Sequence, residues 1–216
     1  MAIVASPTLT NEELFLASQL SEKIQSDYLV SNIGFENGNK KFNIISSDPY
    51  PNSRGVKDMG IANNLREIIQ LIIDKKIDAV FVIGEDLLGY VEGPDLAKLK
   101  EALNGLTFLA VLDTKLTGTA HFADLIMPGA TAYEKDGTFT NDRGRVQQIK
   151  AAIEPPGTAK PEWEVLNLLG SKFDELGFNF NHPSEIMADL SDKNKSFSGI
   201  NYDRVGVLGS ASAADN

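Results

Sequence analysis

Asp78-Ala79-Val80-Phe81-Val82-Ile83-Gly84 is the stretch that decides the fold. Its apolar run is continuous, with no polar residue at alternate positions, so a strand here is buried on both faces. Thr107 to Leu112 repeats the pattern, and Leu125-Ile126-Met127-Pro128 gives a third strand that proline ends. Helices are predicted around them. Asn63 to Lys76 places Leu65, Ile68, Ile69 and Ile72 on one face, and Pro94 to Leu103 forms the next helix. His121 to Ala123 reads as a short helical turn. Buried strands that alternate with helices define an α/β domain of three layers: a mostly parallel sheet with helices on both faces.

Upstream, Ile3-Val4-Ala5-Ser6 reads as a short buried strand. Thr10 with Glu13 three residues on is a capping box. It starts a helix over about 11–25 that carries Leu14, Ala17, Leu20 and Ile24. The region 31–60 is rich in turn residues, with Phe42-Asn43-Ile44-Ile45 as a candidate strand. Asp48-Pro49-Tyr50-Pro51-Asn52-Ser53 cannot be a helix interior, because each proline lacks an amide and restricts its predecessor. Downstream of Gly129 the pattern loosens. Val146 to Ile153 reads as an edge strand, Pro161 opens a helix with Trp163, Leu166 and Leu169, and a last helix spans Pro183 to Leu190. The small polar residues 210–216 read as a tail without fixed structure, leaving 1–209 as one domain.

Composition removes several classes of function. The 216 residues carry 20 basic and 30 acidic side chains, a net charge of −10, which opposes a general nucleic-acid binder. Cysteine is absent, so no disulfide, thiolate nucleophile, Cys-held zinc or Cys-held iron–sulfur cluster is formed by these residues. The two histidines, His121 and His182, are too few for a His-rich metal site. No apolar run reaches the ~20 residues of a membrane span. The first six residues lack the basic start and apolar stretch of a signal peptide, so the expected place is the cytoplasm.

In an open parallel sheet, ligands sit beyond the carboxyl ends of the strands. Those ends here are Gly84-Glu85-Asp86, Asp113-Thr114 and Pro128-Gly129. The carboxylates would bind a ribose or a cation, or else cap turns on the rim; local sequence leaves both open. Neither Gly-x-Gly-x-x-Gly, Gly-x4-Gly-Lys-Ser/Thr nor a Gly-x-Ser-x-Gly elbow is present. The segment from Tyr133 to Gln147 is dense in polar groups around Phe139 and reads as a surface loop. Glu134 would pair with Arg143 or Arg145, or Asn141, Arg143 and Arg145 would grip a partner or cofactor.

A resemblance enters at this segment. Ala123-Asp124-Leu125-Ile126-Met127-Pro128-Gly129-Ala130, then Glu134-Lys135-Asp136-Gly137-Thr138-Phe139-Thr140-Asn141, then Arg143, Arg145-Val146-Gln147 and Pro161-Glu162-Trp163 resemble the molybdopterin oxidoreductase superfamily. The likeness extends to the molybdopterin-like region of NADH–quinone oxidoreductase (respiratory complex I) and to formate dehydrogenase alpha subunits. Asn52-Ser53-Arg54-Gly55 with Asp58-Met59-Gly60 resembles the family's Asn-x-x-Gly-x-x-Asp-Met-Gly turn. Asp113 with Thr117, Thr119 and Ala120 resembles its Asp-x-x-x-Thr-x-Thr-Ala element.

The resemblance implies a Rossmann-like domain from which a family insert between about 30 and 52 is excised. It implies molybdopterin guanine dinucleotide as the family cofactor, with Gly84, Asp86, Asp113, Thr138, Asn141 and Arg143 as inherited contact positions. Where the family has Gly-x-Asn-Pro, this chain has Gly84-Glu85-Asp86-Leu87. The carboxylate adds negative charge where the dinucleotide would approach, and two like charges at 4 Å repel by about 4 kcal/mol at an effective dielectric near 20. The expectation is therefore a non-catalytic scaffold or accessory domain with no cofactor, metal or cluster of its own. It would be held among subunits of a respiratory or formate-type oxidoreductase complex, without membrane insertion, and at the membrane's inner face only through that complex. The alternative is the pterin- or nucleotide-binding half of a split molybdenum or tungsten oxidoreductase.

Overall fold

The structure, a computed structural model, describes residues 1–32, 48–173, 177–206, 208–211 and 213. The strand expected at Phe42 to Ile45 lies outside the described residues. Five strands form one all-parallel sheet: β1 (Ala2–Ala5), β2 (Tyr28–Val30), β3 (Ala79–Ile83), β4 (Phe108–Asp113) and β5 (Leu125–Pro128), in the order β2-β1-β3-β4-β5. The helices are α1 (Asn11–Lys23), α2 (Ser53–Asp58), α3 (Leu65–Ile73), α4 (Pro94–Asn104), α5 (Glu162–Gly170), α6 (Pro183–Lys193) and α7 (Tyr202–Val205).

Alternation along each strand divides the core in two. Ile3, Ala5, Phe81, Ile83, Ala110 and Leu112 face α1, α5 and α6. Ala2, Val4, Val80, Val82, Leu109 and Val111 face α3 and α4. The three-layer α/β reading is correct, and the apolar runs of β1, β3 and β4 are explained by two covered faces; β5 departs from it, because at the sheet edge Leu125 and Ile126 stay exposed. The capping box also forms, with Glu13 N–H donating to Thr10 Oγ1 at 3.2 Å and Thr10 N–H to Glu13 Oε2 at 2.9 Å.

The second half corrects the sequence reading. Gly137–Thr140 (β6) and Arg145–Ile149 (β7) form an antiparallel hairpin, and Ser210–Ala211 (β8) joins its far side. The segment from Tyr133 to Gln147 is thus no surface loop: Thr138, Thr140 and Val146 are wholly buried. Polar composition misleads here because the inward hydroxyls meet polar groups of α1. The sequence predicts an edge strand over Val146 to Ile153, but β7 is the central strand of this second sheet. Ser210 and Ala211 are not the start of a loose tail; they are hydrogen-bonded strand residues. Arg145 secures them by donating to the carbonyls of Leu208 and Gly209.

The second sheet approaches α1 closely. A Cβ on Gly137 would strike the Thr10 side chain, so glycine is required where the hairpin starts.

Candidate functional site

The strand order reverses beside β1. The chain moves outward to β2 and then crosses back to lay β3 on the other side of β1, which makes a switch point between β1 and β3. A crevice of about 570 Å³ opens beyond the carboxyl ends there. Thr8 follows β1, Gly84, Glu85 and Asp86 follow β3, and Asp113 and Lys115 end or follow β4. Lys135, Phe139 and Glu162 close the side toward the second sheet.

The acidic rim is less available than its composition suggests. Both Asp86 oxygens are occupied. Oδ1 accepts from Thr119 N–H at 2.9 Å, Thr119 Oγ1 at 2.7 Å and Leu88 N–H at 3.3 Å, and Oδ2 accepts from Gly118 N–H at 3.1 Å. The carboxylate that replaces the family's amide therefore ties the loop after β4 to the start of the 3₁₀ turn Leu87–Tyr90. These donors turn their positive ends to the carboxylate and offset part of the repulsion expected of it.

Glu85 is nearly buried and accepts from Tyr90 Oη at 2.7 Å. Tyr90 Oη is 3.0 Å from Tyr50 Oη, which accepts from Asn32 Nδ2 at 3.2 Å. Burial pushes the Glu85 carboxyl up, opposed by the Tyr90 and Ser6 hydroxyls and reinforced by the facing Asp113. Burial also pushes Asp113 up, against amide and hydroxyl donors from Lys115 and Thr114.

The expected contact positions separate into two groups. Gly84, Asp86 and Asp113 meet at the crevice. Thr138, Asn141 and Arg143 lie elsewhere. Thr138 is buried, its Oγ1 accepting from Asn11 Nδ2 at 2.9 Å and donating to Glu12 Oε1 at 3.0 Å. Asn141 and Arg143 sit in the β6–β7 turn, where Asn141 Oδ1 accepts the amides of Arg143 and Arg145. Neither option for Glu134 pairing holds the loop: Glu134 accepts from Thr131 N–H, and Arg145 reaches the chain before β8.

A buried polar seam joins α1 to the second sheet and α5, and sequence reasoning missed it. Lys135 Nζ lies 2.9 Å from Glu13 Oε2 and 2.5 Å from Glu162 Oε2, and all three side chains are at most 3 % exposed. Glu13 also accepts from Trp163 N–H at 3.4 Å. Glu12 accepts from Thr138 N–H, Thr138 Oγ1 and Tyr202 Oη. Asn52 Oδ1 accepts from Thr140 N–H at 2.8 Å, so the Asn-x-x-Gly turn holds β6. Glu162 is pushed up to about 8, by burial first and then by Glu13, with Lys135 opposing. Burial raises Glu12 to about 7, against its four hydrogen bonds. The one local signal was Glu12 beside Glu13 at the head of α1, where the capping box accounts only for Glu13.

These features define a doubly wound α/β domain with a crevice at its switch point, extended by a small antiparallel sheet. The chain belongs to the molybdopterin oxidoreductase family, whose model matches residues 18–172. It is 37 % identical over 139 residues to a Staphylococcus haemolyticus protein provisionally named a formate dehydrogenase, covering 64 % of this chain and 14 % of that one. It is 37 % identical over 137 residues to the F420-dependent formate dehydrogenase 1 subunit alpha of Methanococcus maripaludis, covering 62 % of this chain and 20 % of that subunit. This chain thus matches about a fifth or less of these relatives. Acetylene hydratase from Pelobacter acetylenicus shares the fold, with a TM-score of 0.50 and 18 % identity over 67 % of this chain and 20 % of that enzyme.

Proposed function

We propose that this chain serves as a scaffold domain of a molybdopterin oxidoreductase assembly, holding partner subunits while other chains carry the redox centres. One observation carries the reading. The family-like residues Lys135, Thr138 and Glu162 are spent on the internal seam, where their polar atoms bind Glu12, Glu13 and Asn11. Residues so occupied hold the domain's shape and leave few groups for chemistry. The sequence supplies no thiolate for a metal or cluster. Among the described residues, no group of three or more His, Asp or Glu side chains is arranged to hold a metal ion, and no helix is long and apolar enough to cross a membrane. The resemblance to the molybdopterin-like region of complex I supports the same role, within a respiratory or formate-type complex.

A second reading is favoured by Asp86. Because four donors satisfy its carboxylate, the crevice is less hostile to a nucleotide than the bare sequence implies. The residues fit part of the family cofactor, the guanine nucleotide end: Gly84, at a positive φ, turns the backbone along the crevice, and the Asp113 carboxylate suits a base or ribose. When bound, that cofactor supplies the metal chemistry; this chain would only orient it.

Gentle purification from the native source, with mass spectrometry of what co-elutes, tests both. Stoichiometric oxidoreductase subunits with no molybdenum held by this chain support the scaffold. Stoichiometric molybdenum on this chain rejects it. A lone chain whose melting temperature rises with a guanine nucleotide supports the second reading, since binding stabilises the native state.

A further inference from the structure

We infer that the Glu13–Lys135–Glu162 seam is a proton-dependent latch that joins the second sheet and α5 to α1 when it carries a proton and loosens when it loses it. The geometry imposes this through charge count. One ammonium stands between two carboxylates, and all three side chains are almost wholly buried, so two ionised carboxylates leave a net negative charge with no second cation beside it among the described residues.

Among the described residues, the surrounding elements supply no further cation to the seam. From α1 come Glu12 and the Thr10 amide, and from β6 come Thr138 N–H and Oγ1. The start of α5 supplies the Trp163 amide. Tyr202 Oη of α7 donates to Glu12 at 2.9 Å. Asp136, beside Lys135 in sequence, is partly exposed and is 3.3 Å from His182 Nε2, whose ring stands edge-on to Tyr202 at 5.8 Å. Asp113, beyond Gly129, adds another carboxylate on the crevice side. Each of these charged neighbours except Lys135 and a protonated His182 is therefore acidic, and a proton is the available means of balance.

The direction follows from linkage. Glu162, at about 8, lies above the 4.5 of an exposed glutamate, and Glu12, at about 7, lies on the same side. The folded chain then holds more protons than the unfolded chain between about pH 4.5 and about pH 8. Stability falls as pH rises through that window and levels off above it. Lys135 and Glu162 also line the crevice, so loosening the latch moves the crevice wall. The inference stands whether or not a nucleotide binds there.

Thermal unfolding of the full chain from about pH 6 to about pH 9, with Glu162→Gln and Glu85→Gln beside the wild type, tests it. Glu85 contributes a slope of the same sign from the crevice, so the difference made by Glu162→Gln carries the decision. The expected result is a wild-type melting temperature that drops by at least about 3 °C across the range, with Glu162→Gln removing most of the drop and Glu85→Gln little of it. Amide exchange, corrected for its intrinsic pH dependence, should rise in β6, β7 and α5 before β3 and β4. A wild-type temperature that stays level, an undiminished slope in Glu162→Gln, or exchange that rises uniformly would overturn the latch. Should Glu162→Gln not fold, infrared spectra of the wild type decide. A protonated-carboxylic-acid carbonyl band at about pH 6 that fades by about pH 9 supports the latch, and its absence at both refutes it.

Discussion

The crevice and the seam are both rich in carboxylates, yet they differ in what those groups have left to offer. In the seam, Glu12 and Glu13 each accept three donors from outside their own residue. In the crevice, Asp113 is only partly buried and accepts a 3.0 Å bond from the Lys115 amide with a long 3.5 Å contact to the Thr114 hydroxyl. A motif's residue types therefore do not say whether it binds a ligand. The donors already spent on each polar atom say that, and Asp86 shows how a group on the crevice side can be as fully engaged as one in the seam.

Replacing the seam's cation is the harshest way to test the contrast. Lys135→Met leaves Glu13 and Glu162 buried without a cation, and should lower stability by about 3–5 kcal/mol in urea unfolding. A loss near zero would mean that the seam is open to water. Gly129→Ala comes next, because its Cβ would strike Glu162 Oε1 and press on the backbone of Asp113, linking the two regions at one point. Overpacking of this kind should cost about 1–3 kcal/mol by chemical denaturation.

Thr138→Val keeps the shape of the side chain but removes the hydroxyl between Asn11 and Glu12. It should cost about 1–2 kcal/mol, leaving Asn11 Nδ2 without its partner. On the crevice side, Asp86→Asn trades charge-assisted acceptors for neutral ones. It should lower stability by about 1 kcal/mol, because Gly118 and Thr119 keep an oxygen to bond only in part. Arg143→Ala should have the smallest effect. Its amide contact to Asn141 survives the substitution, so the melting temperature should stay unchanged while capture of partner subunits tests whether the exposed turn is a grip.

The parallel sheet was legible because its signals are local. Val80, Val82, Leu109 and Val111 write their burial into consecutive apolar letters, and Thr10 with Glu13 writes a helix start into four residues. The site was legible only in part. Gly84, Asp86 and Asp113 could be placed at strand ends because a parallel sheet with known strands has known ends. Thr138 reads as part of a surface loop, and its burial escapes the sequence because polar composition does not show which side chains turn inward.

Local pattern alone thus determined the α/β class, β1, β3, β4 and β5, the helices α1, α3 and α4, and the absence of thiol chemistry in these residues, whereas β2 and α2 went unread in a turn-rich stretch and the family likeness rested on resemblance. Tertiary structure decided the rest: that β7 is central to a second sheet, that Asp86 is quenched by the loop after β4, and that Glu13, Lys135 and Glu162 meet. Glu13 and Lys135 are separated by 122 residues, and Lys135 and Glu162 by 27. Apolar burial leaves a mark in every residue that is buried, so periodicity reports it. A polar contact leaves none until the partner is known, because a lone glutamate reads the same whether water or a buried lysine will satisfy it.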